Sequence, residues 1–127
     1  MAIISVSLDE EIIEEAARIQ KRMGFSGRSE LIRSALRAFI TQAERSEKMR
    51  GEIDAVLTVI HTEHGGTEVS SIAHSYERII RTHLHNHLKD GKCLEIFILK
   101  GDARAARGLY EALTASRKVE LCELAPF

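Results

Sequence analysis

Residues 74–100 read HSYERIIRTHLHNHLKDGKCLEIFILK and hold four of the six histidines and one of the two cysteines. His83, His85 and His87 are spaced two apart, so on a β-strand all three imidazoles project from one face. A K-D-G-K turn follows, and then Cys93 opens the apolar run L-E-I-F-I-L. Two strands joined by that turn form an antiparallel hairpin, which brings Cys93 back beside His85 and His87. A lone strand histidine is ordinarily polar surface, and a lone cysteine usually behaves as a small hydrophobe. A same-face histidine row with a thiol returning across a hairpin is different. Imidazole nitrogen with thiolate sulfur is the donor set of a transition-metal site. Three donors converge, and a fourth would complete the set.

The 127 residues suffice for one ordinary domain or two small ones. A composition 44% hydrophobic and 29% charged is that of a soluble globular protein. No apolar run approaches the roughly 20 residues that a membrane span needs, and no signal-peptide pattern opens the chain. Two cysteines make no disulfide framework, so a reducing, cytoplasmic setting is expected. The net charge of −1 gives no hint of nucleic acid, but its distribution does. Arg18, Lys21, Arg22, Arg28, Arg33 and Arg37 stand against a single acid, Glu30, between residues 18 and 37. Such a local basic surface suits phosphate contact.

Near the start, Ile4, Val6 and Leu8 alternate with Ser5 and Ser7, the pattern of a short strand with one buried face. Asp9 is expected to cap a helix with an acidic first turn, apolar stripe Ile12, Ile13, Ala16, Ala17, Ile19 and Met23, and stop at Gly24. A second helix carries Leu31, Ile32, Ala35, Leu36, Phe39 and Ile40 and ends near residue 46. One strand and two helices cannot bury a core alone. A two-fold dimer with paired strands is the simplest repair. Residues 47–52 read as a linker between a first domain, 1–46, and a second, 53–127. The second half is expected to hold strand 53–61, helix 67–82, strands 83–89 and 92–100, helix 102–116 and strand 117–124. That order, βαββαβ, is the ferredoxin-like, ACT-like plan, and the fold class is α+β.

The alternating I-S-V-S-L strand, the G-F turn and R-S-E-L-I-R-S-A-L at residues 28–36 resemble the ribbon-helix-helix repressors. In that family paired strands enter the DNA major groove, and the second helix meets backbone phosphate with its N-terminus. The resemblance makes Ser5 and Ser7 base readers with Ile3 in the same row, and it puts Arg28 and Ser29 at phosphate. Ile3 departs from the polar residue that close relatives often carry there; it can touch a thymine methyl but cannot donate to guanine.

Ribbon-helix-helix followed by βαββαβ with H-x-H-x5-C-L-E is similar to the NikR family of nickel-responsive transcriptional regulators, from the first strand to about residue 124. The specific part is His85, His87 and Cys93, with C-L-E-I and L-K-G-D continuing to Asp102. The resemblance implies a fourth ligand eleven residues before His85, and His74 occupies that position. It implies a homotetramer with one Ni(II) per chain at a subunit interface, His85, His87 and Cys93 coming from one chain and His74 from another. Double-stranded operator DNA is the implied partner, and repression of nickel uptake genes the implied output. Metal is then a regulator, and no enzyme is expected.

Other residues are read with less specificity. His83 shares the ligand face as a supporting group, an extra ligand or a solvated residue, and Glu95 is placed to brace the site. Asn86 is expected to face the helices, where a buried amide needs partners. His61 and His64 are expected at the surface, and Cys122 in a structural role in the last strand. The alternatives are the same architecture sensing cobalt, copper or zinc, a small-molecule sensor built on the T-E-H-G-G loop, and a metal store. The last leaves the strand-helix-helix half unexplained.

Overall fold

A computed structural model describes residues 1–127, which divide into two compact units, Met1–Glu44 and Arg45–Phe127. In the first unit, helices α1 (Glu10–Met23) and α2 (Arg28–Lys48, whose last turn from Arg45 belongs to the second unit) follow an N-terminal segment without regular structure. Gly24 ends α1 in the left-handed region (φ 76°), and the Phe25 N–H donates to the Gln20 carbonyl, a glycine-terminated helix end. Asp9 occupies the N-cap position, but its side chain makes no cap bond; its carbonyl instead accepts from the Ile13 N–H at 3.1 Å.

The apolar stripe of this unit is uncovered within one chain. Ile4, Val6, Leu8, Ile12, Leu36, Phe39 and Ile40 are all exposed. Residues 2–8, expected as a strand, form no ladder in the single chain, because nothing in it lies beside them to pair with.

The second unit is a four-stranded antiparallel sheet with strands β1 (Glu52–His61), β2 (Ile80–His87), β3 (Cys93–Asp102) and β4 (Val119–Pro126). Their order is β2-β3-β1-β4. Helices α3 (Gly66–His74) and α4 (Ala103–Thr114) cover one face. On that face β1 presents Ala55, Leu57 and Val59, and β3 presents Phe97 and Leu99, all within 1% exposure. From α4, Ala106, Leu109 and Leu113 close over them. Each fully buried large side chain contributes roughly 1.5–3 kcal/mol, and the apolar alternation of β1 and β3 therefore sets the sheet's facing. The opposite face carries Val56, Ile60, Leu84, Leu94, Ile96 and Ile98 with no helix above it, and Leu84 and Ile98 are exposed.

Several boundaries differ from expectation: α2 runs to Lys48, the strand read over 83–89 spans Ile80–His87, and the helix read over 102–116 spans Ala103–Thr114. The helix read over 67–82 stops at His74, and a single 3₁₀ turn, Glu77–Ile79, leads into β2 at Ile80. Tyr76 and Ile79 still point into the core, because a 3₁₀ turn keeps the i, i+3 spacing that a helix would have used. The final strand runs past residue 124 to Pro126. Gly101 has φ 154°, and a Cβ there would stand 2.6 Å from Ile79 Cγ2, so only glycine fits where the 3₁₀ turn crosses β3.

Candidate metal centre

The β2–β3 turn is tight. Asp90 (φ 63°) and Gly91 (φ 75°) both sit in the left-handed region, and the Leu88 N–H donates to the Lys92 carbonyl at 2.7 Å. Aspartate and glycine are the residues such a hairpin turn favours. This turn sets the register: His87 faces Cys93, His85 faces Glu95 and His83 faces Phe97.

The three histidines share the helix-covered side of the sheet with Cys93 and Glu95. His85 and His87 remain exposed because β2 is an edge strand, whereas Cys93 and Glu95 on β3 are buried at 6% and 4%. Cys93 Sγ lies 3.6 Å from His87 Nδ1, and the rings of His85 and His87 are 5.2 Å apart. A thiol and two imidazoles therefore meet at an open sheet edge.

Beneath them lies a histidine that sequence reasoning put at the surface. His61 is 0% exposed. It ends the alternation Ala55, Leu57, Val59, His61 and pairs with Cys93 across the β1–β3 ladder. The parity of β1 was the signal, since every second residue from Ala55 faces the helices. His61 Nδ1 lies 2.7 Å from the Thr62 carbonyl, and Nε2 lies 2.5 Å from Glu95 Oε2. The other oxygen, Glu95 Oε1, is 2.5 Å from His83 Nε2, and the His83 ring stacks on Phe97 at 4.3 Å. Glu95 thus ties a buried histidine to an exposed one. His61, His85 and Cys93 offer donor atoms that all lie within 4.8 Å of one another.

The remaining positions are distributed differently. His74 ends α3 with a four-fifths exposed side chain, its Nδ1 3.2 Å from Glu77 Oε2, and it does not belong to this cluster of its own chain. Asn86 is exposed and, one residue out of phase with the histidines, lies on the side of the sheet away from the helices. The expectation that it faces them fails on strand parity. His64 is solvent-exposed. Cys122 packs against the core on the face of Val59, and burial pushes its thiol from the ordinary 9.0 up to about 11. It is a neutral packing group at physiological pH. In the first unit Ile3, Ser5 and Ser7 are exposed, and Arg28 and Ser29 open α2, also exposed. Beside them Arg33 pairs with Glu30.

The donor chemistry suits a borderline divalent ion. Imidazole nitrogen and thiolate sulfur are what nickel, copper and zinc take in preference to hard cations. Together the two units define a class: a DNA-binding regulator module joined to a metal-binding module. The comparisons with known proteins agree. The model of ribbon-helix-helix proteins of the copG family matches residues 2–43, and that of the NikR C-terminal nickel-binding domain matches residues 55–126. A Methanocaldococcus jannaschii protein named "Putative nickel-responsive regulator" is 34% identical over 124 residues, 95% of this chain and 88% of its own length. A protein of the same name from Methanothrix thermoacetophila is 35% identical, covering 95% and 89%. Among solved structures, the uncharacterized protein TM1266 from Thermotoga maritima matches with a TM-score of 0.56 at 15% identity, over 60% of this chain and 98% of its own, a likeness of fold alone. The chain belongs to the NikR family of nickel-responsive, DNA-binding transcriptional regulators, and it is a regulator and not an enzyme. No helix is long and apolar enough to cross a membrane.

Proposed function

We propose that His85, His87 and Cys93 of one chain, joined by His74 of a second copy, hold one Ni(II) per chain, and that this link switches a cytoplasmic homotetramer onto operator DNA. The observation that carries the reading is the 3.6 Å approach of Cys93 Sγ to His87 Nδ1 at an exposed edge strand. An edge position leaves room for a donor from outside the chain. His74 stands exposed at the end of its helix, free to reach another subunit. Ni(II), when bound, supplies a centre of charge that favours a planar set of nitrogen and sulfur donors.

The protein's own residues supply the rest. Glu95 holds His83 in place beside the ligands, bracing the row as outer partners of metal-bound histidines do. The uncovered sheet face, with Leu84 and Ile98 exposed, is the surface by which the second domain (53–127) joins other copies. The uncovered stripe of the first domain (1–46) supports a strand-paired dimer, with 47–52 as linker. In that dimer Ser5 and Ser7, with Ile3, read bases, and Arg28 and Ser29 take phosphate. A tetramer carries two such dimers, so nickel that orders the subunits against each other favours simultaneous grip on two half-sites. The output is repression of nickel uptake genes when nickel is plentiful.

The test is selection of bound sequences from a random DNA pool by the full-length protein, with Ni(II) and with chelator. Enrichment of an inverted repeat only with Ni(II), by a species of tetramer mass in sedimentation, is the expected result. Enrichment of the same sequences in chelator would overturn the switch.

A further inference from the structure

The structure assigns Arg107 as a positioning residue: its guanidinium fastens the C-terminal end of α2 onto α4 and so carries the state of the metal-binding domain to the helix that enters the DNA-binding domain. The inference rests on the nickel switch proposed above only for what the clamp transmits; the clamp itself stands on its own contacts.

A helix ends with four carbonyls that have no partner inside it. At the end of α2 those carbonyls have found one from far along the chain. Arg107 Nε donates to the Ser46 carbonyl at 2.9 Å, and Nη2 donates to the Met49 carbonyl at 2.6 Å and the Glu47 carbonyl at 3.4 Å. Arg50 Nη1 adds a second donor to the Met49 carbonyl, at 2.8 Å, and another to that of Glu47. A guanidinium suits this task, because its N–H groups form a rigid planar fork and its charge faces the negative end of the helix.

Three further observations show that the connecting segment is held and not a free tether. The Ala103 N–H, at the start of α4, donates to the Gly51 carbonyl at 2.8 Å, and Gly51 (φ 67°) turns the chain into β1, where Glu52 pairs with Asp102. Met49 is buried in the core of the second unit. Ser46 is buried as well, although its hydroxyl has no partner. An unpaired hydroxyl opposes burial, so the Ser46 side chain does not draw the helix end inward, whereas the bond from Arg107 to its carbonyl does. The second compact unit accordingly begins at Arg45, inside α2.

A flexible connection lets two modules bind their ligands without either sensing the other. Coupling requires that the state of one site bias the other. Arg107 provides the mechanical condition for this, since α4 follows directly from β3, the strand that carries Cys93. A ligand residue and the clamp thus lie on consecutive elements. Arg107→Gln opens the clamp and leaves every proposed metal ligand and DNA-facing residue in place.

The experiment compares full-length wild type, Arg107→Gln and Arg107→Lys. Ni(II) affinity from chelator competition should be the same in all three. On DNA that the wild type selects with Ni(II), the nickel-dependent gain in affinity, on the order of 5–150-fold in the wild type, should fall to near unity in Arg107→Gln. Arg107→Lys, which keeps the charge but not the fork, should recover part of it. Folded Arg107→Gln that keeps the full gain overturns the assignment. Amide hydrogen exchange of the wild type makes the test independent of how the variants fold. The Met49 and Ala103 amides should be protected as strongly as those of β1, and exchange at free-chain rates there also overturns it. A wild type with no nickel-dependent gain would refute the switch alone; protected Met49 and Ala103 amides that Arg107→Gln exposes would still uphold the clamp.

Discussion

Cys93 stands directly across the β2–β3 ladder from His87, its Sγ 3.6 Å from His87 Nδ1, in a register set by the Asp90–Gly91 turn. One residue of slip would send the thiol and the imidazole to opposite faces of the sheet. The turn therefore shapes the candidate metal centre although it offers no donor to it.

His74→Ala removes a side chain that is four-fifths exposed, so stability should move by less than about 0.5 kcal/mol. The nickel-dependent gain in operator affinity, on the order of 5–150-fold for an allosteric coupling of this kind, should fall to near unity. Anisotropy titrations of labelled operator at fixed salt, with and without Ni(II), read this directly. A variant that keeps the full gain would remove His74 from the site.

Glu95→Gln keeps the shape of a buried side chain and removes the charge that joins His61 to His83. Loss of such an outer partner typically weakens metal binding ten- to a hundredfold. Competition with a chelator should show that loss for Ni(II). A variant with lowered melting temperature and unaltered affinity would make Glu95 a packing residue only.

Gly101→Ala places a methyl 2.6 Å from Ile79 Cγ2 at a backbone angle that alanine avoids. Urea unfolding should give a loss of about 1–3 kcal/mol, the usual cost of overpacking. Ala106, small and buried on the inner face of α4, offers the control: Ala106→Gly costs side-chain contact and helix propensity but introduces no clash.

Cys122 makes stability fall in alkali. Burial pushes its thiol up to about 11 in the folded chain against 9.0 ordinarily, so the unfolded chain releases its proton first. Between those values the unfolded state binds fewer protons and stability declines as pH rises; below pH 9 the group contributes no pH dependence. A two-unit shift amounts to on the order of 3 kcal/mol. Unfolding curves from pH 8 to 11 should therefore show a decline that is shallower in Cys122→Ala, and alkylation of Cys122 in folded protein should be slow at neutral pH.

How much of this was legible beforehand follows physical lines. The alternation of β1 and β3 and the D-G turn are local signals, and they place His85, His87 and Cys93 on one face without further help. His61 was missed because a histidine next to T-E-H-G-G looks like loop, whereas the strand's parity carries one residue beyond its last apolar member. The end of α3 was missed for a related reason. Tyr76, Ile79 and Ile80 keep an apolar spacing that a helix and a 3₁₀ turn share, and only the pairing of Ile80 with Leu99 decides where β2 begins. Asn86 was set on the wrong face although the two-residue period that aligns the histidines already excludes it from theirs.

The most direct measurement is the visible absorption of apo protein titrated with Ni(II), in wild type and in Cys93→Ser. The account predicts a thiolate-to-nickel charge-transfer band with planar d–d features, saturating at one nickel per chain and absent from the variant. A weak octahedral nickel spectrum that is the same in both proteins would contradict it.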